Sequence, residues 1–245
     1  MTSASPASIA SSPLAEIRAT IDRTASLTGR SGDDVHLIAI SKTQPVEAIR
    51  PLILAGQRDF GENRVQEAQD KWPALKAEFP DIILHCVGQL QSNKAADAVK
   101  LFDAIHSLDR PSLVKALAHA MDAQGRRLPC FVQVNIGGEE QKGGCPIAEL
   151  PALLTSARDA NIDVAGLMCV PPANVEAAPY FALLAKMARD HGLDQLSMGM
   201  SGDYETAIML GATHVRVGTA LFAHARRHDR GCPRLTEAAP YRIRI

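Results

Sequence analysis

Lys42 directly follows a short apolar, strand-like run, Val35 to Ser41, and lies within the stretch Ala39-Ile40-Ser41-Lys42-Thr43. An amine just past a buried strand, partly shielded from water, has a lowered pKa and attacks carbonyl carbon. By itself the position suits a surface lysine at a strand end equally well. Two stretches near the other end of the chain shift the reading. Met198-Gly199-Met200-Ser201-Gly202-Asp203 opens one helical pattern, and Val217-Gly218-Thr219-Ala220 opens another. Backbone N–H groups at such turns bind phosphate, and the hydroxyls of Ser201 and Thr219 would add donors. Each turn alone also reads as an ordinary capped turn. Arg216, two residues before Gly218, adds a permanent cation. The combination points to a small molecule carrying both a phosphate and a carbonyl group.

These residues must be brought together by the elements that carry them. Short apolar segments alternate with helical ones along the chain. The strand-like segments are 35–41, 59–63, 82–88, 104–108, 130–136, 164–170, 195–199 and 213–217. The helical segments are 14–27, 45–55, 65–78, 93–101, 111–123, 147–160, 175–191, 203–210 and 220–225. In the first helix Ile17, Ile21 and Leu27 share one side. Strands such as Leu37-Ile38-Ala39-Ile40 and Phe131-Val132-Gln133-Val134 look apolar on both faces, as buried parallel strands do. This alternation makes an α/β protein with a parallel sheet. Eight strands predict a single closed (β/α)8 TIM barrel, whose chemistry sits at the C-terminal ends of the strands. An open flavodoxin- or Rossmann-like sheet is the alternative, but no GxGxxG follows the first strand. Lys42, Asn63, Ser201, Arg216 and Thr219 all fall at or just past strand ends.

Composition narrows the class. The chain has 245 residues, 46% hydrophobic, 22% charged and only 4% aromatic, with a formal net charge of -1. That is an ordinary globular domain with no overall field to draw it to nucleic acid or membrane. No apolar run approaches the ~18 residues of a membrane helix. The five cysteines are scattered without a CxxC, which fits free thiols in a reducing cytoplasm and argues against a structural zinc site. Residues 1–13, rich in Ser and Ala, read as a disordered tail lacking the basic start and apolar stretch of a signal peptide. Residues 14–225 form the expected barrel, and 226–245 a basic tail. From Ala223 onward six arginines face two carboxylates, Asp229 and Glu237, giving about +4; this reads as a solvated tail. His85 and His106 read as satisfied strand-end histidines. His224 and His228 share a helical face without a convincing metal role, and no metal is expected.

Pyridoxal 5′-phosphate meets the requirement for a phosphorylated carbonyl, with Lys42 as its aldimine partner. Here a resemblance enters. Ala39-Ile40-Ser41-Lys42-Thr43, Phe60-Gly61-Glu62-Asn63-Arg64-Val65-Gln66-Glu67, His85-Cys86-Val87-Gly88-Gln89-Leu90-Gln91-Ser92-Asn93-Lys94 and His106-Ser107-Leu108-Asp109 all resemble motifs of the YggS/PROSC family of pyridoxal phosphate homeostasis proteins. So do Gln133-Val134-Asn135-Ile136, Leu196 to Asp203 and Val215-Arg216-Val217-Gly218-Thr219, in family order. The resemblance implies an alanine-racemase-like, fold-type III barrel without that enzyme's second domain. It places the cofactor on Lys42 as an internal aldimine, Met200, Ser201, Gly218 and Thr219 around the phosphate, Asn63 near the ring and Arg216 at the pyridine nitrogen. It implies intracellular storage, buffering or delivery of the cofactor, with cofactor-dependent apoenzymes as recipients.

Arg216 bears on whether the site is catalytic. An arginine cannot give its proton to the pyridine nitrogen, so the ring is a weaker electron sink than one paired with an aspartate. Racemases of this type rely on a second base, usually tyrosine; here Tyr204 is the only tyrosine expected near the mouth. A cofactor carrier without established catalysis is the reading, and a weak amino-acid racemase is the alternative. Departures from the family are Gln44, where a second lysine often stands, together with Leu84 and Cys86. Lys142, in Glu139-Glu140-Gln141-Lys142-Gly143-Gly144, could be a second acceptor for the cofactor or a solvated loop lysine. A monomer would suffice.

Overall fold

The structure is a computed structural model describing residues 12–222. The expected tails at 1–11 and 226–245, and residues 223–225 of the expected last helix, lie outside the described residues.

Eight parallel strands close into a barrel in sequence order. They are β1 (His36–Ile40), β2 (Asp59–Glu62), β3 (Ile83–Cys86), β4 (Ala104–Leu108), β5 (Cys130–Val134), β6 (Val164–Cys169), β7 (Gln195–Met200) and β8 (His214–Val217). The ring is completed by β1 against β8, with Ile38 level with Arg216 and Ala39 level with Val217. A helix, α1 (Pro13–Ser26), precedes the first strand. The others follow one per strand: α2 (Val46–Leu54), α3 (Val65–Glu78), α4 (Ala95–Leu101), α5 (Pro111–Gln124), α6 (Leu150–Asp159), α7 (Ala178–Asp190), α8 (Tyr204–Met209) and α9 (Thr219–Phe222).

Local chemistry sets the ends of these elements. Ser12 caps α1 by accepting from Ala15 N–H at 3.2 Å, and Pro13 occupies the first turn, where its missing N–H costs nothing. Gly125 ends α5 in the left-handed conformation, φ 61°. Leu14, Ile17, Ile21, Thr24 and Ala25 form the buried face of α1. Leu27 is not part of it. It lies beyond the helix end, 79% exposed, because the helix stops at Ser26.

The main hydrophobic core lies between strands and helices, where Phe60, Trp72, Phe102 and Phe181 are fully buried among Leu, Ile, Val and Ala. The barrel interior differs from the apolar lining expected. Side chains alternate in direction along a strand. The positions that leave the helix-facing core are His36 and Ile38 of β1, Asp59 and Gly61 of β2, His85 of β3, His106 of β4, Phe131 and Gln133 of β5, Met168 of β6, Ser197 of β7, and His214 and Arg216 of β8. Their rings pack directly: His106 stacks on Phe131 with centroids 4.2 Å apart, and His214 meets Phe131 edge-on at 5.0 Å. His85 and His106 are therefore buried in the barrel, not strand-end residues. Among the described residues no helix is long and apolar enough to cross a membrane.

Candidate functional site at the barrel mouth

The inward positions of β1 are His36, Ile38 and Ile40, so Lys42 continues that row at the C-terminal mouth. Ser41 points outward and is fully buried, its hydroxyl donating to Glu62 Oε1 at 2.8 Å. The next residue, Thr43, has φ 60°, a left-handed conformation costing a non-glycine residue roughly 1–2 kcal/mol. The turn is held from below. Lys71 Nζ donates to Ser41 O at 3.0 Å and Gln44 O at 3.4 Å, and Glu67 Oε1 accepts from the Thr43 N–H. Lys42 itself is exposed, and its amine has no hydrogen-bond or ion-pair partner among the described residues. It is not partly buried as its place after the apolar run suggested. The strand ends at Ile40, and the turn lifts the side chain clear of the wall.

Glu67 is thus the residue that keeps a strained turn in place. Burial works against its charge, but the Lys71 ammonium and the Thr43 N–H outweigh it and hold the carboxyl below its usual range. A carboxylate with a depressed pKa adds stability above its unfolded value of about 4.3, and that contribution is lost as pH falls through the folded value. Glu67→Ala should cost about 1–2 kcal/mol at pH 7, with the gap from wild type closing near pH 3. Urea unfolding at the two pH values checks this; an equal gap at both would refute it.

The other side of the mouth is built by the ends of β7 and β8. Gly199 has φ 92°, and a Cβ there would lie 2.6 Å from the Ala207 Cβ and 3.0 Å from the Tyr204 Cα, so only glycine fits. The loop closes on itself: Met200 N–H donates to Asp203 Oδ1 at 2.6 Å, and Asp203 N–H donates back to Met200 O at 3.1 Å. The N–H of Met200 is therefore already engaged, while Ser201 is exposed. Gly218 N–H reaches Ser201 Oγ at 3.4 Å, a long bond joining the two loops. A Cβ at Gly218 would come within 3.3 Å of the Ile40 Cβ, a tight contact that marks the close approach of the chain after β8 to β1. That approach brings Gly218, Thr219 and the Lys42 turn to the same rim. Asn63 continues the inward row of Asp59 and Gly61, and its backbone packs where Gly88 would otherwise carry a side chain, 2.2 Å from the Asn63 oxygen.

Arg216 lies beneath this rim, 5% exposed. Its Nη1 donates to Ser197 Oγ at 2.7 Å and its Nη2 to Cys169 O at 2.8 Å. Burial lowers its pKa, and Cys169 and Asp203 oppose that shift. Tyr204 does not turn to the mouth. Its hydroxyl bonds with Thr20 of α1, and burial raises its pKa. Lys142 is tied down, donating to Pro171 O at 3.0 Å and pairing with Glu139 at 2.7 Å.

The structure thus brings Lys42, Asn63, Ser201, Gly218 and Thr219 to one rim with Arg216 below. Ser197 and His106, which support Arg216, were missed by sequence reasoning. The signal was present: both are polar residues alternating with apolar neighbours that face the helices, Ile105 on β4 and Leu196 and Met198 on β7. The donor set suits a phosphate at one side (two hydroxyls and a weakly engaged N–H), an aldehyde at the other, and a guanidinium beneath.

Known proteins share this barrel. Residues 13–225 match the family described as alanine racemase, N-terminal domain. The pyridoxal phosphate homeostasis protein of Pseudomonas aeruginosa is 40% identical over 228 residues, covering 90% of this chain and 96% of that protein. Its Escherichia coli K12 counterpart is 37% identical over 219 residues, covering 85% and 94%. The structure of PipY from Synechococcus elongatus with PLP bound aligns with a TM-score of 0.72 at 39% identity, covering 83% of this chain and 99% of that one. Alanine racemase of Clostridium difficile, 12% identical with a TM-score of 0.64, shares the fold, and only 56% of its length is covered. The chain belongs to the alanine racemase N-terminal domain family, within its single-barrel branch of pyridoxal phosphate homeostasis proteins.

Proposed function

We propose that this protein binds pyridoxal 5′-phosphate at the barrel mouth and serves its homeostasis by storing, buffering or delivering it. The observation that carries the reading is the meeting, on one rim, of the exposed Lys42 amine, without a partner among the described residues, with the Ser201–Gly218 bridge between the phosphate-side loops. When bound, the cofactor supplies an aldehyde able to link covalently to an amine and a ring able to draw electrons. The chain's own residues decide how much of that is used. Lys42 is the anchor. Ser201 and Thr219 hydroxyls and the Gly218 N–H hold the phosphate, with Met200 shaping the loop through its side chain. Asn63 flanks the ring. Arg216 faces the ring nitrogen and, unable to yield its proton, keeps the ring a weak electron sink.

No observation favours a racemase. Of the described tyrosines, Tyr204 is the one at the start of the helix after β7, and it is engaged with Thr20 of α1. The residues proposed to hold the cofactor all lie on this chain, so the reading requires no second copy. Four of the cysteines are free and buried, and burial, the largest cause in each case, raises each thiol to about 12, which supports a reducing, cytoplasmic setting. Recipients would be apoenzymes that use the same cofactor.

The test loads the purified protein with pyridoxal phosphate, removes the excess, and offers a cofactor-free acceptor enzyme. One equivalent retained, visible in the near-visible spectrum, then passed on with recovery of the acceptor's activity, supports the reading. Failure to retain any cofactor defeats it. Exchange of α-deuterium from amino acids at a rate depending on Lys42 would move the assignment to catalysis.

A further inference from the structure

The barrel interior contains a continuous chain of hydrogen bonds that neither the anchor nor the phosphate loops use. Arg216 Nη1 donates to Ser197 Oγ at 2.7 Å; Ser197 Oγ lies 2.8 Å from His106 Nδ1; His106 Nε2 lies 3.0 Å from His85 Nδ1; His85 Nε2 lies 3.0 Å from Asp59 Oδ1. It runs from beneath the mouth to the opposite, N-terminal face. There Asp59, its side chain 19% exposed, meets His36 at 3.8 Å in an open cleft of ≈ 360 Å³ also lined by Arg18 and Gln57. Ser197 and His106 are fully buried and His85 is 3% exposed, so water cannot replace a missing partner along most of its length.

The donor directions can be worked out from the two ends. A guanidinium only donates, and an ionised carboxylate only accepts. Burial, reinforced by His85, His214 and Arg216, holds His106 well below its ordinary pKa, so its ring is neutral and has one donor and one acceptor nitrogen. One pattern satisfies every group. Arg216 donates to Ser197, Ser197 O–H donates to His106 Nδ1, His106 Nε2–H donates to His85 Nδ1, and His85 Nε2–H donates to Asp59. In the reverse pattern His106 Nδ1–H would donate to Ser197, whose own hydroxyl hydrogen would then have no acceptor in a fully buried place. All dipoles therefore point one way, from the cation at the mouth to the anion at the far face, and each bond strengthens the next. Phe131 stacked on His106, and His214 edge-on to both His85 and His106, pack against the two rings.

We propose that Asp59, His85, His106 and Ser197 form a positioning relay for Arg216, fixing which guanidinium hydrogens stay in the wall and which face the mouth. The relay also makes Arg216 sensitive to the state of Asp59 on the opposite face. Its meaning for the cofactor rests on the placement of Arg216 at the ring nitrogen proposed above. The direction and restraint of the chain do not.

The first experiment uses cofactor-free protein labelled with nitrogen-15. His85 and His106 should both show the proton on Nε2, and Arg216 should give separate, slowly rotating Nη signals. Ser197→Ala should merge the Arg216 signals, and Ser197→Thr, which keeps a hydroxyl, should restore them. Asp59→Asn should alter the His106 signals two hydrogen bonds away. A proton on Nδ1 of either ring, or Arg216 signals indifferent to Ser197→Ala, would overturn the relay. The second experiment loads the same variants with ring-nitrogen-15 pyridoxal phosphate. Asp59→Asn and Ser197→Ala should shift the ring-nitrogen signal and weaken binding roughly tenfold, within the usual range for coupled sites. An unchanged signal and affinity in both would show that the relay does not serve the cofactor. Wild-type protein that takes up no cofactor would instead refute the function proposed above, leaving the first experiment to decide the relay.

Discussion

Lys42→Ala protein should keep its fold and lose its cofactor. Lys42 is exposed and without a partner among the described residues, so removing it should change stability by no more than about 0.5 kcal/mol. The phosphate contacts from Ser201, Gly218 and Thr219 remain. They are ordinary hydrogen bonds at an open rim, where water competes with them. Losing the covalent anchor should therefore raise the dissociation constant at least about a hundredfold, or ~2.7 kcal/mol. Equilibrium dialysis with pyridoxal phosphate measures this directly. Borohydride treatment followed by peptide mapping should find the label on the Lys42 peptide in wild type and nowhere in the variant. Lys142 and Lys71 should not take over, because each amine is already engaged by a carbonyl oxygen and a carboxylate. Label appearing at Lys142 in the variant would show that its pairing with Glu139 is too weak to silence it. Undiminished binding would remove Lys42 from the site altogether.

The order of elements and the rim residues were legible because they depend on local pattern. Short apolar runs bounded by turns gave eight strands, each within a few residues of its observed position, and barrel closure followed from the count. Lys42, Ser201 and Thr219 were legible because mouth residues sit just past strand ends in any barrel of this type. What escaped was decided by which way a side chain faces. In β5 the residues Phe131 and Gln133 turn inward while Val132 and Val134 face the helices, yet the run reads as uniformly apolar. His85 and His106 each look like a stray polar residue, and only the pairing of β3 with β4, His85 level with Ala104, places their rings 5.1 Å apart. The exposure of Lys42 was misjudged for a related reason. A left-handed threonine after it cannot be anticipated until Glu67, 24 residues away, is seen to accept from its N–H.

Lys71→Met should be the most destabilising single change near the site. Glu62 is fully buried, and its Oε1 accepts from Ser41 Oγ at 2.8 Å, from Trp72 Nε1 at 3.1 Å and from Lys71 Nζ at 2.7 Å. Lys71, with its side chain 11% exposed, is the cation that neutralises it. Burying an ion pair gives little net stability against an apolar pair, but removing one partner strands the other charge in a medium that cannot solvate it. The expected loss is about 3–5 kcal/mol, which for a barrel of this size lowers the melting temperature by about 10 °C. Adding Glu62→Gln removes the stranded charge while an amide oxygen still accepts from Ser41 and Trp72. It should recover about half the loss and not all of it, because Glu62 Oε2 has no partner and an N–H₂ in its place would be unsatisfied. Calorimetry on the two variants separates charge from packing. A loss near 1 kcal/mol for Lys71→Met, or no recovery in the double variant, would mean that Glu62 is not stranded by the change. The same pair also governs the mouth, since Lys71 Nζ holds Ser41 O and Gln44 O on either side of Lys42. Cofactor affinity should therefore fall in both variants alike, even where stability is partly restored, because the donor to that turn is missing from both.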